Sequence, residues 1–198
     1  MTAESIPDIC LTVEATRLPV FHEILAAGFH VPAPAGVSIR KVLTTYIGLD
    51  ARYLEARVQT IFLNGRVVDD FDQTKIKAGD VLALSSAMPG LVGAVFRKES
   101  PLSKMRGLAI SETETAAAET ENPGGIILKL FNQVARNLGP DFLAAGIRVS
   151  AAYLRRFLVA HPELVLKGVR AGGKELEAEE LPAVLNVSAD VRVRIHSA

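Results

Sequence analysis

The sequence predicts an α+β protein of two similar units, on three observations. A set of short landmarks recurs once in the same order, each copy alternates strand-like with helix-like hydrophobic patterns, and an acidic stretch lies between the copies. Leu25-Ala-Ala-Gly28 returns as Leu143-Ala-Ala-Gly146, and Val42-Leu43-x-x-Tyr46-Ile47 returns as Tyr153-Leu154-x-x-Phe157-Leu158. The turn pair Asn64-Gly65 returns as Gly172-Gly173, and Asp80-Val81 as Asp190-Val191. The largest drift between copies falls in the proline-rich loop Val31–Gly36. Residues 111–125 carry four glutamates, no Lys or Arg, and no apolar residue larger than alanine. Such a stretch cannot offset the entropy of ordering itself and reads as a linker. The predicted units are therefore residues 1–110, with an extension over 85–110, and residues 126–198.

Each copy reads strand, strand, helix, strand, turn, strand, strand. Ile9, Leu11, Val13 and Ala15 alternate with Cys10, Thr12 and Glu14, the period of a half-buried strand. Ser38 is placed to cap a helix that carries Ile39, Val42, Leu43, Tyr46 and Ile47 on one face and stops at Gly48. Val58–Leu63 and Arg66–Val68 flank Asn64-Gly65, a pair suited to a type I′ turn, where both central residues need positive φ. Gly79-Asp80 turns the chain into Val81–Leu84, a strand apolar on both faces that something must cover. In the second copy Ile126–Phe131 and Phe142–Val149 form the expected opening pair. Ser150 caps a helix running to about His161, and Val165–Leu176 folds around Gly172-Gly173. Val191–Ile195 alternates strictly, so it predicts one wet face.

Charge and cysteine content narrow the function classes. Lys and Arg number 22, as do Asp and Glu, so no net field draws the chain to nucleic acid or an anionic membrane. The single cysteine, Cys10, can form neither an intramolecular disulfide nor a Cys/His metal framework. Met1–Asp8 is polar and acidic, unlike a signal peptide, and no run approaches the roughly 18 apolar residues of a membrane span. The expectation is a cytoplasmic protein with no membrane or nucleic-acid partner, no metal and no cofactor.

A hairpin, a helix, a second hairpin through Asn-Gly and a Gly-Asp turn into a last strand resemble the ubiquitin-like β-grasp fold over nearly the whole of each copy. Within that fold, Phe62-Leu-Asn-Gly-Arg-Val-Val68 followed by Lys77-Ala-Gly-Asp-Val-Leu-Ala-Leu84 is similar to the sulfur-carrier proteins of thiamine and molybdopterin synthesis. Ile127-Leu-Lys-Leu-Phe131 is similar to the same family. The resemblance implies a terminal Gly-Gly that is adenylated and converted to a thiocarboxylate. This chain departs there: the second copy ends Arg194-Ile-His-Ser-Ala198, and the first continues through Ala87–Gly93. Only cleavage after Gly90, Gly93 or Gly125 would supply a glycine carboxylate.

No catalytic set converges in the sequence. His22-Glu23 lacks the second helical histidine of a zincin, because the residue four positions on is Ala26. His30, His161 and His196 are dispersed, and His161 suits a helix C-terminus. Cys10 reads as an incidental thiol, and Asp69, Asp70 and Asp72 as a solvated turn. The segment 85–110 lies outside the repeat and mixes small and flexible apolar residues with Arg97, Lys98, Lys104 and Arg106. It yields the candidate partner-binding residues Met88, Pro89, Gly90, Leu91, Val92, Gly93, Val95, Arg97 and Lys98. The alternative is that it caps the first sheet or docks the two copies together. The leading expectation is a non-enzymatic binding or scaffold protein with a protein partner or a second copy of itself. A carrier precursor activated by cleavage is one alternative. An enzyme with a site between the units, using Ser85, Ser86, Arg97 or Lys98, is another.

Overall fold

The computed structural model describes residues 6–86, 93, 95–97, 100, 101, 124–186 and 188–198, and these form helices and mixed β-structure. The chain is α+β. Each copy opens as strand, helix, strand. In the first, β1 (Asp8–Val13) leads through a 3₁₀ segment, Ala15–Phe21, into α1 (His22–Ala27), then β2 (Phe29–Val31). In the second, β6 (Ile126–Phe131) leads into α4 (Asn132–Ala145), then β7 (Ile147–Ser150). The Leu-Ala-Ala-Gly landmark ends the helix both times, with Gly28 at φ +116° and Gly146 at φ +95°. The expected opening hairpins do not form. A 14-residue helix rises about 21 Å, which separates the strands it joins too far for a tight turn. Phe142–Ala145, expected to begin a strand, is the last turn of α4.

The remaining elements follow the repeat closely. Ser38 Oγ accepts the Lys41 N–H at 3.4 Å and opens α2 (Ile39–Lys41), which continues as a π turn over Val42–Tyr46 and stops before Gly48 at φ +80°. The Ile47 N–H reaches back to the Val42 carbonyl, and this widened turn rotates the stripe: Ile39, Val42 and Leu43 are fully buried, while Tyr46 is 42% exposed. The short helix α3 (Ala51–Arg57), capped by Asp50, was not foreseen. Ser150 Oγ accepts the Tyr153 N–H and opens α5 (Ala151–Ala160).

Both hairpins take the expected turn. β3 (Thr60–Leu63) and β4 (Arg66–Val67) meet at Asn64 (φ +50°) and Gly65 (φ +76°). β8 (Gly168–Ala171) and β9 (Lys174–Leu176) meet at Gly172 (φ +56°) and Gly173 (φ +83°). Asp80 organises the first of them. Its carboxylate accepts Asn64 Nδ2–H at 2.9 Å and the Lys77 N–H at 2.7 Å, while Asn64 Oδ1 takes the Val81 N–H at 2.8 Å. The strand that follows, β5 (Val81–Ser85), is buried at Val81, Leu82, Leu84 and Ser85, on both faces. In the second copy a 3₁₀ turn, Ala178–Glu180, and α6 (Leu181–Asn186) precede β10 (Asp190–Ser197).

The compact units are drawn along other boundaries than 1–110 and 126–198. One consists of His30–Ala135, the other of Met1–Phe29 with Arg136–Ala198. The first unit orders its strands β4-β3-β5-β6, with β5 parallel to β6 from Val81↔Ile127 to Ser85↔Phe131. The second orders them β7-β10-β1-β8-β9, with β1 parallel to β10 from Asp8↔Arg192 to Val13↔Ser197 and antiparallel to β8. The opening strand of each copy thus pairs in the unit that holds the helix and hairpin of the other. The expected linker falls, up to residue 123, outside the described residues. The physical reason for the exchange is that β1 and β6 carry the same code. Ile9, Leu11 and Val13 on one, and Ile126, Leu128 and Leu130 on the other, are fully or almost fully buried, so each pattern fits either central position.

Candidate functional site

The segment expected to bind a partner is described only in part. Gly93 and Val95 are buried, Val95 at 5% exposure, and Arg97 is exposed. Phe96 stacks on Phe62 of β3 with ring centroids 5.9 Å apart. Val95 is thus not available as an exposed contact, and Phe96 packs on the first unit's sheet. Met88, Pro89, Gly90, Leu91, Val92 and Lys98 lie outside the described residues. Ser85 is 2% exposed; its hydroxyl donates to the Ser86 carbonyl at 3.1 Å and accepts Asn132 Nδ2–H at 3.0 Å. Those contacts fix the ends of the parallel pair β5 and β6 and bring no general base to the hydroxyl. Gly125 accepts the Gly79 N–H at 2.9 Å, and a Cβ added there would stand 2.7 Å from the Val31 carbonyl oxygen. That bond is packed against backbone.

The second unit presents a different surface. On one face of its sheet Ile9, Leu11, Val13, Ile147, Val149, Val169, Val191, Val193 and Ile195 are buried. Alternation sends their neighbours to the other face: Arg148 on β7; Asp190, Arg192, Arg194 and His196 on β10; Asp8, Cys10 and Thr12 on β1; Arg170 on β8; Glu175 on β9. Register lays them in rows. Arg148, Arg192 and Asp8 stand side by side, and in the next row Arg194, Cys10 and Arg170. Arg192, His196 and Arg170 are exposed, and Asp8, Cys10, Thr12, Arg148 and Arg194 are intermediate. The wet face expected of β10 is this one.

Counter-ions are unevenly distributed over it. Arg148 places Nε and Nη2 at 2.9 and 2.6 Å from one oxygen of Asp190, and Arg194 pairs with Asp8. Arg192 donates instead to a neutral acceptor, the Ala145 carbonyl, at 2.8 Å. Gly146 permits this placement. A Cβ there would lie 2.8 Å from Arg192 Nε and 2.9 Å from Arg194 Cγ, so both side chains lie over bare backbone. Beyond Arg170 the face turns acidic, where a groove of about 700 Å³ is lined by Thr12, Lys167, Arg170, Glu175, Glu177 and Glu179, among others.

A third cluster links α1 to the end of α5. His161 Nε2 meets Glu23 Oε2 at 3.0 Å and its Nδ1 meets Glu163 Oε1 at 2.9 Å, with the Phe157 ring 4.6 Å away. The hydrogen bond to Glu163, followed by that to Glu23, raises the His161 pKa above its ordinary value, and the same bond to His161 lowers that of Glu163. His22 is shifted the other way, by burial and by Arg136. No nucleophile joins the cluster among the described residues, and they contain no metal-competent group of three His, Cys, Asp or Glu. The sequence could not reveal this pairing, because 138 positions separate Glu23 from His161. The Asp69–Asp72 turn is not purely solvated: Arg40 binds Asp72 and Glu55 while its guanidinium lies 4.5 Å from the Phe71 ring centre. No described helix is long and apolar enough to cross a membrane.

Comparison with known proteins leaves the chain standing by itself: no family model, no curated protein and no solved structure matches it.

Proposed function

We propose that this chain is a non-enzymatic binding protein built from two β-grasp sheets, each completed by a strand from the other half of the sequence. Support for the β-grasp reading comes from the parallel central pair in each unit, flanked by an antiparallel hairpin with a type I′ turn, and from the serine-capped helix that precedes each hairpin. The observation that carries the binding reading is the charged face of the second unit's sheet, on which Arg170, Arg192 and His196 are exposed. There, charged side chains stand in rows on adjacent strands, while the Ser85 hydroxyl and the His161 imidazole are committed to structural contacts. A surface of this kind recognises a partner by charge and register rather than by chemistry on it. The partner class is protein. Affinity capture with the full chain tests the reading. A partner retained by the wild type should be lost by the Arg170→Glu, Arg192→Glu double variant at unchanged thermal stability, and equal retention by the variant would overturn it.

A further inference from the structure

We propose, resting on that reading, that the charged face over β7, β10, β1 and β8 is a docking surface for an acidic peptide segment, with Arg192 and Arg170 as its principal contacts. Three observations carry the assignment. Like charges stand side by side: Arg148 is directly opposite Arg192, and Arg194 follows Arg192 on the same face. Such neighbours destabilise a sheet. Asp190 and Asp8 each answer one arginine, Arg148 and Arg194. Among the described residues Arg192 and Arg170 form no ion pair with a carboxylate, although Asp8 stands beside Arg192 and Glu175 opposite Arg170 in register.

Arg192 is moreover held in place without being neutralised. The Ala145 carbonyl fixes Nη2, and Gly146 clears the backbone beneath Nε, so the guanidinium is oriented in advance with donors left over. A positive group positioned by a neutral acceptor has its charge still to spend on a ligand, and a guanidinium fork matches a carboxylate on two parallel hydrogen bonds. Arg170 lies two strands away, roughly 10 Å across the sheet. Carboxylates spaced along one peptide can reach both.

The same pattern argues against a nucleic acid. The residues this face presents include no aromatic ring on which a base could stack. Glu175, Glu177 and Glu179, which line a groove together with Arg170, set one border of the surface and repel an acidic segment that overruns it.

Fluorescence anisotropy on the full chain tests the assignment, with a labelled Glu-Ser repeat peptide, a Lys-Ser repeat of equal length and a single-stranded oligonucleotide as probes. The Glu-Ser peptide should bind and weaken as salt rises, while the Lys-Ser peptide does not bind. Arg170→Ala with Arg192→Ala should lower affinity by about tenfold or more at unchanged Tm. Arg192→Lys, which keeps the charge and loses the fork, should fall between. Glu175→Gln should tighten binding. Equal binding by the double alanine variant, no binding of the Glu-Ser peptide, or tighter binding of the oligonucleotide would each overturn the acidic-peptide assignment. If the Glu-Ser peptide fails while a captured protein partner still depends on Arg192 and Arg170, the binding function stands and only the partner chemistry falls.

Discussion

Leu11→Ala distinguishes the observed strand arrangement from one that follows the sequence halves. Leu11 is fully buried in the middle of β1, between Ile195 of β10 and Val169 of β8. Truncating such a side chain costs the lost transfer free energy and a residual cavity, about 2–5 kcal/mol. For a unit of about 90 residues each kcal/mol lowers Tm by about 4–8 °C, so a loss of about 3 kcal/mol is easily measured. The location of the damage is the sharper readout. Amide hydrogen exchange should accelerate by about a hundredfold in β8 and β10, for a loss of about 3 kcal/mol, and stay unchanged in β3 and β5. Acceleration in β3 and β5, with β8 and β10 protected as before, would refute the exchange of β1.

Three further outcomes follow from features already described. His161 has a raised pKa in the folded chain, so its contribution is fully present below its ordinary 6.5 and is lost as pH rises through the folded value. Glu163, lowered from 4.5, contributes above that value and loses its contribution as pH falls through the folded one. Denaturation of wild type and His161→Gln across pH should therefore show the largest gap between 4.5 and 6.5, closing at alkaline pH; a gap that widens there would reverse the assignment. Asp80→Ala leaves Asn64 and the Lys77 N–H without their carboxylate and should cost about 1–3 kcal/mol in urea unfolding, whereas an unchanged midpoint would mean that water replaces it freely. A Cβ at Gly65 meets nothing within 4 Å, so the cost of Gly65→Val is chiefly that of φ +76°, about 1–3 kcal/mol, and a wild-type Tm would show that the turn relaxes without penalty.

What the sequence made legible is what short-range chemistry decides. Ser38 and Ser150 as caps, Asn64-Gly65 and Gly172-Gly173 as turns, and the buried Ile9, Leu11 and Val13 are set by residues within a few positions of one another. Helix α4 was hidden because Gly139-Pro140 reads as a stop. Its glycine instead lets α4 approach α1, where an added Cβ would stand 2.7 Å from Leu25 Cδ1. The pairing of β1 with β10 was illegible for another reason: β1 and β6 carry interchangeable buried patterns, so neither strand's own residues say which slot it takes. The arginine face was visible as alternation in Val191–Ile195, but not Arg148, Arg170 or Gly146 beside it, since cross-strand register is not written along one strand. Of the stretch expected to bind a partner, Val95 shows how an apolar residue in such a run can be buried instead.

The exchanged strand also sets a timetable for biosynthesis. β1 leaves the ribosome well before its neighbours β8 and β10, which begin at Gly168 and Asp190. At ordinary elongation rates of about 5–20 residues per second, Ile9, Leu11 and Val13 stay unpaired for roughly ten to thirty seconds. The unit comprising His30–Ala135 can close first, once β6 has emerged, while the N-terminal strand remains a free apolar edge. Such an edge is where a nascent chain pairs wrongly with its neighbours on a polysome. Yield in the cell should therefore depend on chaperones that hold extended apolar segments, and a circularly permuted chain in which β1 follows β10 would shorten that wait to seconds.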